Sequence, residues 1–336
     1  MRTIRASPAY PIVTPLINKT IMFNYWIDCD VPPFAALMMD GIARVVGPIP
    51  STEQLADCDA IIVGGGKYDG AVMARCPKLK VISRLGVGYD NIKVEDATAR
   101  GILVCYAPEA PTVSTAEHAV TLMLAVAKHL RALDGHTRAG TLEQFSPARD
   151  SLELSGRTLG LVGAGRIGSR VARVALAMDM RVIVFDPYLT PARASELGVT
   201  RAPTLRALLG EADIVSIHVP VTPETRSLMN ADRFAQMKHG AIFINTARGA
   251  LVDESALAAA LASGHLGGAG LDVFQVEPPA PTHPLLRFEN VIVTPHIASA
   301  TGAGVGRLWE TGLRQATQAL RGERPAFMLN PEVWKG

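Results

Sequence analysis

Three polar residues late in the chain have types and positions suited to carboxylate and proton chemistry: Arg248, Glu277 and His296. Each follows an apolar run that reads as a strand. Arg248 comes after Ile242-Phe243-Ile244-Asn245-Thr246-Ala247, Glu277 after Leu271-Asp272-Val273-Phe274, and His296 after Val291-Ile292-Val293-Thr294-Pro295. Strand ends are where doubly wound sheets place ligands. A guanidinium can grip a carboxylate through two parallel hydrogen bonds and polarise an adjacent carbonyl. An imidazole exchanges protons near neutral pH, and a carboxylate beside it orients the ring. The set suits reduction of a 2-oxo acid, in which a hydride must be matched by a proton. Plainer readings exist for each: a surface ion pair for Arg248, a solvated loop acid for Glu277, a ring satisfying a carbonyl for His296.

A hydride needs a carrier, and the middle of the chain supplies a place for one. Leu159 to Val162 reads as a buried strand, Gly163-Ala164-Gly165-Arg166-Ile167-Gly168 as a G-x-G-x-x-G turn, and Arg166 to Met178 as a helix. A second strand, Arg181 to Asp186, ends in an acid at about the spacing of a ribose-binding carboxylate, roughly 20 residues on. Gly163 permits the tight turn, Gly165 a close approach to a pyrophosphate, and Gly168 helix–strand packing. The helix start, with Arg166 and Ile167, offers unpaired N–H groups to phosphate. Asp186 would accept from ribose hydroxyls and repel a 2′-phosphate, and no arginine follows in Pro187-Tyr188-Leu189-Thr190, so the predicted cofactor is NAD.

These loops must be held by alternating strands and helices. Before residue 108, candidate strands are Thr20–Trp26, Ala60–Val63, Lys80–Arg84 and Ile102–Tyr106, with helices Pro33–Met39, Thr52–Asp57, Gly70–Cys76 and Val94–Arg100. This small α/β unit holds Gly86-Val87-Gly88, a near miss for a second dinucleotide loop, since Asn91 stands at the third glycine position. One long helix is predicted over Thr112–Leu133, packed against both halves or against a partner subunit. Strands then recur at Thr158–Val162, Arg181–Asp186, Asp213–Val219, Ala241–Asn245, Gly268–Phe274 and Val291–Thr294, the pattern of a doubly wound parallel sheet. A last helix, Ala300–Arg321, and an apolar stop, Phe327 to Pro331, are expected to cross back to the N-terminal unit. The predicted fold is α/β, with two Rossmann-like domains: a discontinuous one from 1–107 plus 300–336, and one from 108–299.

Composition narrows the class. At 336 residues, two domains are the natural expectation. With 48% hydrophobic and 19% charged residues there is no disorder signature. The net charge of +2 comes from interspersed residues, so no nucleic-acid partner is expected. Cys29, Cys58, Cys76 and Cys105 lack C-x-x-C spacing, which favours reduced thiols in a cytosolic protein over a metal site or disulfides. Met1 to Lys19 has no signal-peptide pattern, and Ala119 to Ala127 is too short an apolar run to span a bilayer. A soluble, cytoplasmic protein without membrane contact is predicted.

Taken together the motifs resemble the D-isomer-specific 2-hydroxyacid dehydrogenases. They are Leu85-Gly86-Val87-Gly88-Tyr89-Asp90-Asn91, Gly163 to Gly168, His218-Val219-Pro220, Asn245-Thr246-Ala247-Arg248-Gly249, Asp272-Val273-Phe274 with Glu277-Pro278, and Pro295-His296-Ile297-Ala298-Ser299. The resemblance runs from about Asp57 to the C-terminus. It implies that Arg248 binds and polarises substrate, His296 is the acid/base and Glu277 pairs with it, in a cleft between domains. It further implies that Val87 and Gly88 offer amides to the substrate carboxylate, Asp272 holds the nicotinamide carboxamide, and His218, Val219, Pro220, Thr246 and Ala247 line the cofactor. Arg84 has two readings, holding a substrate phosphate as in phosphoglycerate dehydrogenases or bridging the two domains. The expected substrate is a small D-2-hydroxy or 2-oxo acid of 3-phosphoglycerate, glycerate/hydroxypyruvate or glyoxylate type. Alternatives are a phosphite-type dehydrogenase on this fold and a non-catalytic NAD-sensing regulator. Three departures stand out: Gln275 replaces an acid usual after Phe274, the arm up to Lys19 matches nothing, and the chain stops shortly after Trp334, so no regulatory domain is expected. His118 reads as structural or interfacial, and a homodimer is expected.

Overall fold

The computed structural model describes residues 22–141 and 151–335. The first residues of the predicted Thr20–Trp26 strand, and the arm before them, lie outside this range. The chain divides into two compact units: residues 1–110 with 306–336, and residues 111–305.

Unit 1 is built on a parallel sheet of β1 (Phe23–Ile27), β2 (Ala43–Val46), β3 (Ala60–Val63), β4 (Val81–Arg84) and β5 (Leu103–Cys105), in the order β2-β1-β3-β4-β5. β3 and β5 are buried along their whole length, as expected of strands covered on both faces. The edge strand β2 escaped the sequence reading because only Val46 of its four residues is buried, which leaves no apolar run. The C-terminal segment belongs to this unit. In the helix Gly302–Leu320, Thr317 bonds the Tyr25 hydroxyl at 2.8 Å and Gln315 donates to the Tyr106 carbonyl at 2.8 Å. The chain then runs alongside β5: Leu329 N donates to Val104 O, and the fully buried Asn330 accepts from Val104 N while donating to Ile102 O. Asn330 thus replaces ladder bonds that another strand would make, and the two ends of the chain close one domain.

Unit 2 carries a seven-stranded parallel sheet of β6 (Thr158–Val162), β7 (Arg181–Phe185), β8 (Thr200–Arg201), β9 (Ile214–Ile217), β10 (Ala241–Asn245), β11 (Leu266–Leu271) and β12 (Val291–Val293). The order β12-β11-β10-β9-β6-β7-β8 reverses between β6 and β9, the switch point at which such sheets bind ligands. One face is covered by helices Thr112–Ala127 and Arg166–Ala177, through Leu122, Met123, Val126, Val171 and Ala175 packed on Leu159, Leu161, Ile242 and Ile244. The other face buries Leu208, Leu209, Phe234 and Leu257 against Val162, Val215 and Phe243.

The single helix expected over Thr112–Leu133 is two. It ends at Ala127, His129 takes a left-handed conformation with φ 48°, and a second helix, Leu130–Arg138, buries nothing. Leu152 N donates to Ala127 O at 2.8 Å, so the segment leading to β6 takes a carbonyl that a continuing helix would have used. The apolar face of Thr112–Ala127 is consumed inside its own unit, so its hydrophobicity is no argument for a partner. Among the described residues no helix is long and apolar enough to cross a membrane.

Candidate active site

At the switch point of unit 2, Gly163 leaves β6 with φ 94°, a conformation that glycine adopts without a steric penalty. A Cβ here would also crowd the His218 carbonyl and Val219 side chain, at 2.9 Å each. Gly168 packs against the Gly163 carbonyl, and Ile167 packs partly buried on the core. Gly165 is the N-cap of helix Arg166–Ala177 and makes no side-chain cap, while Arg166 is exposed in the first turn. Asp186 accepts from Ala164 N and from Tyr188 N, each at 2.9 Å, so its carboxylate sits over the glycine turn. His218 bonds Ser216 Oγ at 2.9 Å, and burial of its ring pushes its pKa down to about 4, leaving a neutral imidazole under the turn. Pro220 beyond it is exposed, and Ala247 packs on the core.

Thr246 is buried, yet among the described residues its hydroxyl has no hydrogen-bond partner. Buried hydroxyls are normally satisfied, so this one calls for a ligand or water. An uncapped helix N-terminus, the positive-φ glycine turn and this orphan hydroxyl fit a dinucleotide. Among the described residues no group of three or more His, Cys, Asp or Glu could hold a metal ion.

The three chemical residues lie on loops after β10, β11 and β12. Arg248 follows an Asx-type turn in which Asn245 accepts from Ala247 N and donates to Arg248 O, each at 2.9 Å. Its guanidinium donates to the Ala247 carbonyl at 2.8 Å. Gly249 touches the backbone of Phe274 and Gln275 so closely that any Cβ would overlap it, which brings the Arg248 loop against the Glu277 loop. Glu277 accepts from Phe274 N at 3.0 Å through one oxygen and bonds His296 Nδ1 at 2.7 Å through the other. His296 is 44% exposed at its side chain and sits at φ 55°, a region that few non-glycine residues occupy. With Nδ1 turned to Glu277, Nε2 is the nitrogen left to face a substrate.

Asp272 lies directly beneath the His296 loop. It is 1% exposed, and both oxygens are taken by the protein: Thr294 Oγ1 at 2.6 Å, Ile297 N and Ala298 N at 2.9 Å each. It holds the His296 loop. In unit 1, Arg84 is likewise committed to backbone. Nε donates to Gly88 O at 2.9 Å, and one terminal nitrogen serves Val63 O, Gly64 O and Leu85 O. Arg84 therefore shapes the loop of Val87 and Gly88, in which Val87 is exposed. Gln275, at the position where an acid is usual, donates to Val252 O at 2.5 Å, a bond no carboxylate could make. The sequence reading quoted Asn245, Gly249 and Thr294 within their runs but gave none of them a role of its own. An Asn at a strand end, two residues before an amide it can accept from, is the one local signal that pointed to any of them.

Parallel doubly wound sheets, with a dinucleotide turn at the switch point and polar loops at the carboxyl ends of the strands, define a nucleotide-binding α/β protein. Residues 120–298 match the family model described as D-isomer specific 2-hydroxyacid dehydrogenase, NAD binding domain, and the chain belongs to that family. It is 41% identical over 286 residues to a glyoxylate reductase of Korarchaeum cryptofilum, covering 84% of this chain and 86% of the relative. It is 42% identical over 268 residues to D-3-phosphoglycerate dehydrogenase of Mycobacterium tuberculosis, covering 80% of this chain but only 50% of that protein. The chain thus spans about half the length of the phosphoglycerate dehydrogenases it matches. The crystal structure of a D-lactate dehydrogenase from Aquifex aeolicus, complexed with NAD and lactic acid, superposes with a TM-score of 0.82 at 31% identity, covering 91% of this chain and 98% of the other. Unit 2 is accordingly an NAD-binding domain.

Proposed function

We propose that this protein is an NAD-dependent D-2-hydroxyacid dehydrogenase that interconverts a small, unphosphorylated 2-oxo acid and its D-2-hydroxy acid. The observation that carries the reading is the 2.7 Å pairing of His296 Nδ1 with Glu277 on a loop held at positive φ. A proton kept on Nδ1 by Glu277 leaves Nε2 to give a proton to the carbonyl oxygen during reduction and to take it back during oxidation. Arg248 binds the carboxylate and draws charge from the carbonyl. NADH, when bound, supplies the hydride. Asp186 is assigned to the ribose, Gly163, Gly165, Arg166, Ile167 and Gly168 to the pyrophosphate, and Thr246, Ala247, His218, Val219 and Pro220 to the rest of the cofactor. Val87 and Gly88 are assigned to the substrate.

The engagement of Arg84 by backbone carbonyls supports an unphosphorylated substrate, since a guanidinium whose Nε and one terminal nitrogen tie its own loop to the end of β3 is a poor phosphate anchor. Free thiols at Cys29, Cys58, Cys76 and Cys105 suit a reducing compartment, so a cytoplasmic location belongs to the proposal, as does a homodimer. The test is NADH oxidation by purified protein with glyoxylate, hydroxypyruvate, pyruvate and 3-phosphohydroxypyruvate, with light scattering on the same preparation. Turnover of an unphosphorylated acid and a dimer mass are expected. Preference for the phosphorylated acid overturns the substrate assignment. No turnover with any of them, despite NADH binding, shifts the reading to phosphite chemistry or to an NAD-sensing regulator.

A further inference from the structure

His118 lies on helix Thr112–Ala127, distant in sequence from every residue given a role above, and it reaches the underside of the His296 loop. Its Nε2 is 2.9 Å from Thr294 Oγ1 and 3.5 Å from Asp272 Oδ1. The direction of these bonds can be worked out. Asp272 presents only acceptors as a carboxylate, so Thr294 spends its hydroxyl hydrogen on Asp272 at 2.6 Å. Thr294 Oγ1 must therefore accept from His118, and Nε2 carries a hydrogen in either charge state of the ring.

The acceptor at the end of this chain is a carboxylate that is 1% exposed, and buried carboxylates require close donors or a cation. Among the described residues, His118 is the one cationic side-chain type within ion-pair reach of it. Asp272 in turn grips the loop on both sides of His296: its carboxylate holds Ile297 N and Ala298 N, and its carbonyl accepts from His296 N at 2.8 Å. A residue at φ 55° stays there only when its neighbours over-determine it. The series His118, Thr294, Asp272 supplies that constraint from below, while Glu277 fixes the ring from above.

We propose that His118 is a positioning residue for His296: through Thr294 and Asp272 it holds the loop in the conformation that aims Nε2 at the substrate carbonyl. This rests on the reading of His296 as proton donor. Misplacing a reacting group by about 1 Å costs up to about 100-fold in rate. In His118→Leu, kcat is expected to fall about 10- to 100-fold, with KM for the 2-oxo acid and the NADH dissociation constant within about twofold of wild type. His118→Gln keeps an N–H for Thr294 and is expected to recover most of the loss. Thr294→Val cuts the same series elsewhere and should reproduce the His118→Leu defect, which covers the case in which His118→Leu fails to fold. Hydrogen exchange over residues 294–299 should be faster in His118→Leu and near wild type in His118→Gln.

Unchanged kcat in His118→Leu overturns the proposal. So does an equal loss in His118→Gln, or a loss matched in KM and NADH affinity, which would mark a merely structural role. Absence of turnover in the wild type defeats the proposed function alone. Exchange over residues 294–299 then decides the positioning role, and unchanged exchange in both variants overturns it.

Discussion

The two sheets share parallel strands and a reversal of strand order, and they fill the resulting crevice in opposite ways. In unit 1 the reversal lies between β1 and β3, where Gly64, Gly65 and Gly66 turn successive amides into the crevice. There the Asp28 carboxylate, just after β1, accepts all three amides together with the Tyr68 hydroxyl at 3.0 Å. In unit 2 the corresponding crevice between β6 and β9 holds the Gly163 turn and a 12-residue helix whose N-terminus no side chain caps. Topology makes a site for an anion in both. In one the Asp28 carboxylate takes all three loop amides; in the other Asp186 takes only Ala164 N of the turn, and Gly165 brings no side chain to the helix start.

The largest expected effect that would break this contrast is on the unit 2 loops. His296→Ala should lower kcat by about 100- to 10,000-fold with KM little changed, as for loss of a general acid, whereas Arg248→Ala should damage both kcat and KM. Steady-state kinetics on both variants checks this, and a fully active His296 variant removes the proton donor. Next is the acid behaviour of the unit 2 crevice. His218 is held near pKa 4 in the fold and returns to about 6.5 on unfolding, so between those values the unfolded state binds the extra proton. Its contribution is therefore complete above pH 6.5 and lost as pH falls toward 4, by about 3 kcal/mol at most. In urea titrations across this range, His218→Asn should show a flatter acid limb than wild type; an identical limb removes the neutral-histidine account. The smallest effect belongs to unit 1. Asp28→Ala leaves three loop amides and a phenol without their acceptor, which should cost about 1–3 kcal/mol of stability with kcat unchanged. A lower melting temperature with lost activity would instead show that the unit 1 crevice takes part in catalysis.

Much of the fold was legible because it is written in local patterns. Continuous apolar runs such as Ala60–Val63 and Thr158–Val162 could only be strands covered on both faces, and the glycine spacing at 163, 165 and 168 fixed the turn between strand and helix. Short pieces with little buried surface were not legible: β2, and β8 with both residues exposed, carry no periodic signal. The helix break at His129 was hidden for a related reason. It depends on Leu152 taking the Ala127 carbonyl, a partner that lies 25 residues on in the chain. Within the site, residue types and strand-end positions pointed to Arg248, Glu277 and His296, but the engagements of Asp272 and Arg84 with backbone were not foreseeable from their neighbours.

The sequence alone therefore determined the parallel α/β architecture and the dinucleotide turn, since each depends on periodicity and on glycine conformations set within a few residues. Only the tertiary structure decided which acceptor each buried donor meets. Asp28 fills the Gly64–Gly66 amides from 36 to 38 positions away, Asn330 completes β5 from 226 positions away, and His118 reaches Thr294 across 176. Such pairs follow from strand register and helix packing, and a buried polar atom accepts whichever partner that packing brings within about 3 Å.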